Sequence, residues 1–426
     1  MNKRHFLKLS GLGLATATLS PLSAVASGSA VSEPQLANIT GSVTPITAKE
    51  REARVVKAQQ LMDKHNLQAI VLEPGAAMDY FSGVQWWRSE RLTALIIPKQ
   101  GRVAVVTPFF EKPSVMESLQ VEGDVHVWQE HESPFDVVKA VLADRGIEKG
   151  QLGFESTVRY FALSGIMDAM PAMTHVPAEP VTFGCRMIKS AHELTLMHKA
   201  NEVTLRAYEE VWAQLREGMT QQDVKALMNA TQQRLGGQST WCLALFNEAS
   251  AYPHGTRESQ VIRQGSVVLM DSGCSVHGYQ SDISRTFVFG TPGKKQQTVW
   301  QHVRKGQQIA FDTARPGVPA GRVDDAVRKH YETLGYGPAY QLPGLSHRTG
   351  HGIGMEGHEK VNFVHGETTP LAKGMCFSNE PGIYLPGEFG VRLEDCMYMT
   401  DSGPAWFTEP PESLDSPLGA LAPLKI

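Results

Sequence analysis

The sequence predicts an α/β domain followed by an α+β domain, and three observations carry that prediction. The chain has 426 residues, more than a single ordinary core encloses. Up to about residue 189, short apolar runs of strand type alternate with helical patterns. Beyond that point strand-like runs dominate, interrupted by a few long helices. A hydrophobic content of 42% with 20% charged residues is that of a soluble globular protein. The formal net charge is −4 and no long acidic or basic block occurs, so nucleic acid and anionic membranes are not expected partners.

The first 26 residues read as an export signal. Asn2-Lys3-Arg4-His5-Phe6-Leu7-Lys8 is a basic start, a weakly apolar stretch follows, and Ala24-Val25-Ala26 supplies an A-x-A cleavage site. The basic pair before Phe6-Leu7-Lys8 resembles a twin-arginine signal, with Lys3 in place of the usual first arginine. The stretch is too weakly apolar for a membrane span. The expectation is a periplasmic protein exported by the twin-arginine route and free of the membrane after processing. Residues 27–46, rich in Ser, Ala, Thr and Val without periodicity, are expected as a flexible leader.

The first domain is expected over residues 47–189. Thr47 and Glu50 stand at capping-box spacing before an amphipathic run through Val55, Leu61 and Met62. Residues 69–72, 92–97 and 103–107 read as strands, the last two parted by turn residues 98–101. Helices are expected near 134–145 and 158–170. The second domain, 190–426, opens with another capping box, Ser190 with Glu193, and a helix to about residue 215 that Gly218 stops. A helix over 222–235 follows, then strands at 239–246, 266–273, 282–289, 375–384 and 390–399. Helices near 295–313 and 321–334 interrupt them. The five cysteines form no C-x-x-C pair and are expected as buried free thiols.

Two of these strand pairs carry acids. A turn centred between Val276 and His277 would set Asp271 and Asp282 directly opposite each other, on one face and roughly 4.5–5.5 Å apart at Cβ. A turn centred on Gly387, within Pro386-Gly387-Glu388-Phe389-Gly390, would do the same for Glu380 and Glu394. Carboxylates at such distances raise one another's pKa unless cations neutralise them. Two divalent metal ions would balance four carboxylates and could hold a hydroxide as nucleophile. Oxygen-rich ligation with one imidazole suits manganese, iron, cobalt or zinc. The imidazole is sought in the run from His347 to His358, where glycines flank three histidines.

With these residues in view, the sequence resembles metallopeptidase family M24, the creatinase, aminopeptidase P and prolidase group. Asp271-Ser-Gly-Cys through Asp282-Ile283-Ser284-Arg285-Thr286 is similar to its first metal motif. Gly350-His351-Gly352-Ile353-Gly354 with His358-Glu359 is similar to its histidine motif. Asn379-Glu380-Pro381-Gly382 and Gly390-Val391-Arg392-Leu393-Glu394-Asp395 match the last two. The resemblance implies a creatinase-type amino-terminal α/β domain followed by an α+β pita-bread catalytic domain. It implies hydrolysis of the bond before proline in Xaa-Pro peptides, through a hydroxide bridging two metals, manganese foremost. By that resemblance Asp271, Asp282, His351, Glu380 and Glu394 are the metal ligands, with Asp282 and Glu394 bridging. Glu380 is also the proton acceptor, while His358 and His254 steady the scissile carbonyl and the tetrahedral intermediate.

Three further residues are expected near substrate. Arg392, two residues before Glu394, would share its strand face and either orient carboxylates or meet substrate. Trp86 and Trp87 either narrow the mouth of the site or serve packing. Gly357 and Ser378-Asn379 depart from the family pattern, which bears on the substrate pocket and not on the metals. The competing readings are a lyase or amidinohydrolase acting on a small nonpeptide molecule, or a noncatalytic binding protein on the same fold. The resemblance also implies a homodimer or larger homo-oligomer.

Overall fold

The computed structural model describes residues 36–425; the expected export signal and residues 27–35 of the expected leader lie outside the described residues. Residues 36–46 belong to the stretch expected as leader, but they are docked. Ile39 N–H donates to Leu235 O at 3.0 Å, His192 Nε2 lies 2.9 Å from Thr44 O, and Ile46 is buried. Apolar side chains at positions 36, 39 and 43 pack on the core, and this burial overrides a composition that reads as loose.

In the first domain α1 (Ala48–Lys64) begins at the predicted capping box, with Thr47 accepting from Glu50 N–H. It leads into β1 (Leu67–Leu72), α2 (Ala76–Ser82), β2 (Ala94–Pro98) and β3 (Val103–Pro108). Then come α3 (Lys112–Ser118), β4 (Gly123–Trp128), α4 (Pro134–Ala143), β5 (Gly150–Phe154), α5 (Tyr160–Ala169), β6 (Met173–Pro177) and α6 (Glu179–Arg186). The strands form one mixed sheet in the order β4-β3-β2-β1-β5-β6. Alternation along β1 sends Ile70 and Leu72 toward α1 and α6, while Ala69 and Val71 face the core shared with α4 and α5. Both faces are covered, which is why these strands read as continuous apolar runs.

The expected domain boundary falls between α6 and α7 (Ala191–Gln214), which starts at the second predicted capping box. After α8 (Gln221–Arg234) come β7 (Gln238–Phe246), β8 (Ser266–Val276), β9 (Tyr279–Gln280) and β10 (Ile283–Phe289), paired in the order β10-β8-β7 with β9 on β8. Helices α9 (Lys294–Thr313) and α10 (Gly321–Thr333) follow. The remaining strands are β11 (Gly350–Gly352), β12 (Glu359–Phe363), β13 (Cys376–Asn379), β14 (Gly382–Leu385), β15 (Phe389–Arg392), β16 (Asp395–Thr400) and β17 (Gly403–Trp406). They form a five-stranded sheet, β12-β11-β13-β16-β17, and the separate ribbon β14-β15. Helices α7 and α8 pack on the first of these sheets, and α9 and α10 on the second.

The acid-bearing hairpin is also stitched to the first domain. Arg54 of α1 donates to Tyr279 Oη at 2.8 Å, and Tyr279 donates in turn to Glu193 of α7 at 2.8 Å. Arg54 also pairs with Glu193 at 3.2 Å. All five cysteines are buried and free, as expected. Among the described residues no helix is long and apolar enough to cross a membrane.

Candidate metal centre

The first hairpin turns two residues away from the expected register. His277 and Gly278 are the two turn residues, both with positive φ (48° and 85°), so Val276 faces Tyr279 and Asp271 faces Ser284. Asp282 is therefore not opposite Asp271, which corrects the expected pairing. The displacement is an even number of residues, so parity keeps Asp282, Ser284 and Asp271 on one face. Gly273 makes room, because a Cβ there would collide with the Ser281 carbonyl.

The second pair keeps its expected register. Gly382 faces Arg392 in one ribbon and Asn379 faces Asp395 in the neighbouring sheet. Glu380 and Glu394 stand at the break between these two sheets, where the strands exchange partners. The break is held to the rest of the site by the backbone. Glu394 N–H donates to Ser284 O at 3.1 Å, and Glu380 N–H to Thr349 O at 2.9 Å. One hydrogen bond thus brings Glu394 beside the first hairpin, and the other brings Glu380 beside the histidine segment.

Within the histidine segment only Gly350–Gly352 is strand, and the residues on either side of it are irregular. β11 pairs with β12 and β13, and its pairing with β12 is interrupted between His351 and Gly352. Gly350 and Gly352 permit this squeeze, since a Cβ on either would strike a neighbouring backbone carbonyl. His351 Nδ1–H donates to Gly352 O at 3.1 Å, which leaves Nε2 with its lone pair facing the acids. Nε2 lies 3.3 Å from Glu380 Oε1 and 3.7 Å from Asp282 Oδ2.

All five expected ligands converge. His351 groups with Glu380 and Glu394, and Asp271 with Asp282 and Glu394; within each group the candidate ligand atoms lie within 4.8 Å of one another. A third group joins Asp282 and His351 to His358, whose ring packs 4.2 Å from that of His351. His358 is the exposed member, on the solvent side. His254 stands apart on an exposed loop; neighbouring Pro253 tethers that loop by accepting from Arg392 at 3.3 Å.

The electrostatics of the cluster are those of a site short of positive charge. Burial, then Glu394 and Asp271, hold the Asp282 carboxyl well above the usual range. Burial, then Glu380 and Asp271, do the same to Glu394. Burial pushes Glu380 up to about 7, with Arg392 opposing. Burial and His358 hold His351 far below an ordinary imidazole, so it is neutral. Asp271 Oδ1, Asp282 Oδ1 and Glu394 Oε1 are buried without a hydrogen-bond partner. Four acids, one neutral imidazole and three orphaned oxygens fit divalent cations, which would complete their coordination.

Arg392 is the only cation in contact with these acids among the described residues, and four hydrogen bonds engage its guanidinium. They reach Asp271 Oδ2 at 2.6 Å, Ser284 Oγ at 2.9 Å, and Tyr384 Oη and Pro253 O at 3.3 Å. Of its two expected roles, these contacts support the orienting of carboxylates. Tyr384 passes the restraint on by donating to His347 Nε2 at 2.7 Å, because His347 Nδ1–H is held by Arg348 O. Ser284 donates to Glu394 Oε2 at 2.7 Å. Sequence reasoning missed Ser284, Tyr384 and His347 as supports. Ser284 was within reach of it, two residues after Asp282 on the same face.

The structure does not place Trp86 and Trp87 against the acids. Their indoles stack at 4.7 Å, Trp86 donates to Glu111 at 3.2 Å, and Trp87 is exposed. With Asp79, Gly278, Met355 and Glu356 they line a cleft of about 460 Å³ between the first domain and the loop after His351.

Comparison with known proteins gives the family and the two domains. The model of metallopeptidase family M24 matches residues 195–401, and that of the creatinase/prolidase N-terminal domain matches residues 54–188. The Xaa-Pro dipeptidase of Lactobacillus helveticus is 30% identical over 366 residues, covering 84% of this chain and 96% of that one. The solved dipeptidase PepE from Mycobacterium ulcerans superposes with a TM-score of 0.78 at 30% identity, over 85% of this chain and 96% of its own. The prolidase from Thermococcus sibiricus gives 0.77 at 27% identity, over 84% and 96%. The chain therefore belongs to metallopeptidase family M24, a hydrolase with a creatinase-type N-terminal domain ahead of a pita-bread catalytic domain.

Proposed function

We propose that this protein is an exported Xaa-Pro dipeptidase that works with two divalent metal ions, manganese foremost. The observation that carries the proposal is the convergence of Asp271, Asp282, His351, Glu380 and Glu394 with three buried carboxylate oxygens unpartnered. The dipeptidase names of the relatives support the substrate class. The ions, when bound, would supply an acidified water and a polarised carbonyl. Asp271, Asp282 and Glu394 would hold them with His351 and Glu380.

The protein's own groups divide the remaining work. Glu380, held beside His351 by its backbone N–H to Thr349 O, would be the carboxylate that takes the proton from the attacking water. His358, at the open side of the cluster, presents a ring N–H to the carbonyl oxygen as negative charge develops there. His254, on the loop that Pro253 tethers to Arg392, would be the second histidine to steady the intermediate. Arg392 keeps Asp271 in position throughout.

The test is a substrate panel with the purified mature protein, manganese-loaded and chelated. Xaa-Pro dipeptides should be cleaved by the loaded enzyme, Xaa-Pro-Yaa tripeptides more slowly, and neither after chelation. Absence of proline release from every loaded preparation would overturn the reading. Metal analysis should return two ions per chain, cell fractionation a periplasmic protein without its first 26 residues, and solution mass a homodimer.

A further inference from the structure

The loop joining His351 to His358 is gripped from its far side by a buried ion cluster that no step above uses. Arg186, at the end of α6, lies 2.5 Å from Glu359 Oε1, and Lys189, in the junction before α7, lies 2.8 Å from Oε2. The side chains of all three are at most 3% exposed. The same carboxylate faces the loop as well. Its Oε1 accepts the backbone N–H of Met355 at 3.0 Å and of Glu356 at 3.3 Å. Gly354 completes the closure, since a Cβ there would come within 2.7 Å of Oε2 and 2.8 Å of Lys189 Cε. The junction cannot drift either, because Lys189 N–H donates to Gly374 O at 2.8 Å.

A cluster serving only to join two domains would have no need to receive amides from this loop. Buried ion pairs are poor sources of net stability, because desolvation offsets most of the attraction; fixing one geometry is a use that fits them better. Here the geometry fixed is a ring of backbone from residue 354 to 359, and His358 is the residue immediately before the carboxylate that closes it.

We propose that Glu359 is a positioning residue for His358, holding loop 354–359 through Arg186 and Lys189 so that the imidazole keeps its place beside His351 and Asp282. The inference rests on the reading of His358 as the group that meets the carbonyl oxygen.

The experiment is a double-mutant cycle on the manganese-loaded full chain with an Ala-Pro dipeptide. Glu359→Asp keeps the charge for both cations but is too short to serve both amides, and Gly354→Ala displaces the carboxylate from the other side. Each should lower kcat by about 10–100-fold, the scale of a catalytic group misplaced by roughly 1 Å. KM and bound metal should stay unchanged, and amide exchange over residues 354–358 should quicken. In a His358→Ala background the same substitutions should lower kcat no further. Additive losses there, loss of bound metal, or full activity in both variants would overturn the proposal. Unchanged kcat in His358→Ala alone would remove the reading of His358, while the exchange measurement would still report on the grip.

Discussion

Residues 350–359 connect two carboxylate clusters, one with a surplus of negative charge and one neutralised. At one end four acids face a single guanidinium, and three of their oxygens have no partner. At the other end Glu359 and the partly exposed Glu356 face two cations, and both oxygens of Glu359 are partnered. Burial acts on both alike, but only the second is neutralised from within the chain. The second is complete as it stands and fixes a shape. The first is complete only when cations arrive. A buried surplus of one charge marks where a ligand belongs, and a buried balance marks where a position is held.

The largest effect that would break this contrast is Glu380→Ala. It removes a proposed ligand and the proton acceptor together, and kcat on an Xaa-Pro dipeptide should fall by at least about 1,000-fold, of the order expected when general-base and metal contributions are lost together. Retention of more than a tenth of the activity would end the assignment.

A smaller effect is the pH dependence of stability, and its sign differs between the clusters. In metal-free protein burial pushes Glu380 up to about 7 from an ordinary carboxylate's 4.5, so its contribution is full below 4.5 and lost as pH rises through 7. Glu359 is depressed to about 2 by its two cations outweighing burial, so its contribution is present above 4.5 and lost as pH falls toward 2. The Tm of metal-free protein should rise by a few degrees between pH 8 and 5.5 and collapse below about 4, and manganese should flatten the upper slope, since metal displaces the proton. A Tm that rises steadily with pH through neutrality in the metal-free protein would contradict the surplus.

The smallest change expected is that of Arg392→Lys. It keeps the charge beside Asp271 but loses the fork that also reaches Ser284, Tyr384 and Pro253. We expect kcat to fall by about 10-fold, a scale typical of lost outer-shell support, with KM little changed. A rise in KM without loss of kcat would return Arg392 to the substrate.

How much of this was legible in the sequence depended on where the turn signals lay. The second acid pair could be registered because Pro386 to Gly390 is a conspicuous turn run centred on Gly387. The first was misplaced by two because a histidine in left-handed conformation opens its turn, and His277 does not advertise itself as glycine does. Parity rescued the functional conclusion. In the first domain, the fully buried β1, β2 and β3 were visible as apolar runs. The half-exposed β4 and mostly exposed β6 lacked such a pattern. The Arg186–Glu359 contact spans 173 positions, and no local pattern announces it. The docking of residues 36–46 was hidden for a related reason, because its few apolar side chains find their partners in distant helices.

The bond from Arg54 to Tyr279 and Glu193 has a practical corollary. Anyone grafting a foreign amino-terminal half onto this catalytic half must transplant an arginine at the same spot in α1. Without it a tyrosine and a glutamate behind the acid-bearing hairpin would be left sealed from water with no cation. Chimaeras built at the 189/190 seam should fail unless that arginine travels with the catalytic half, together with the Arg186 and Lys189 that neutralise Glu359.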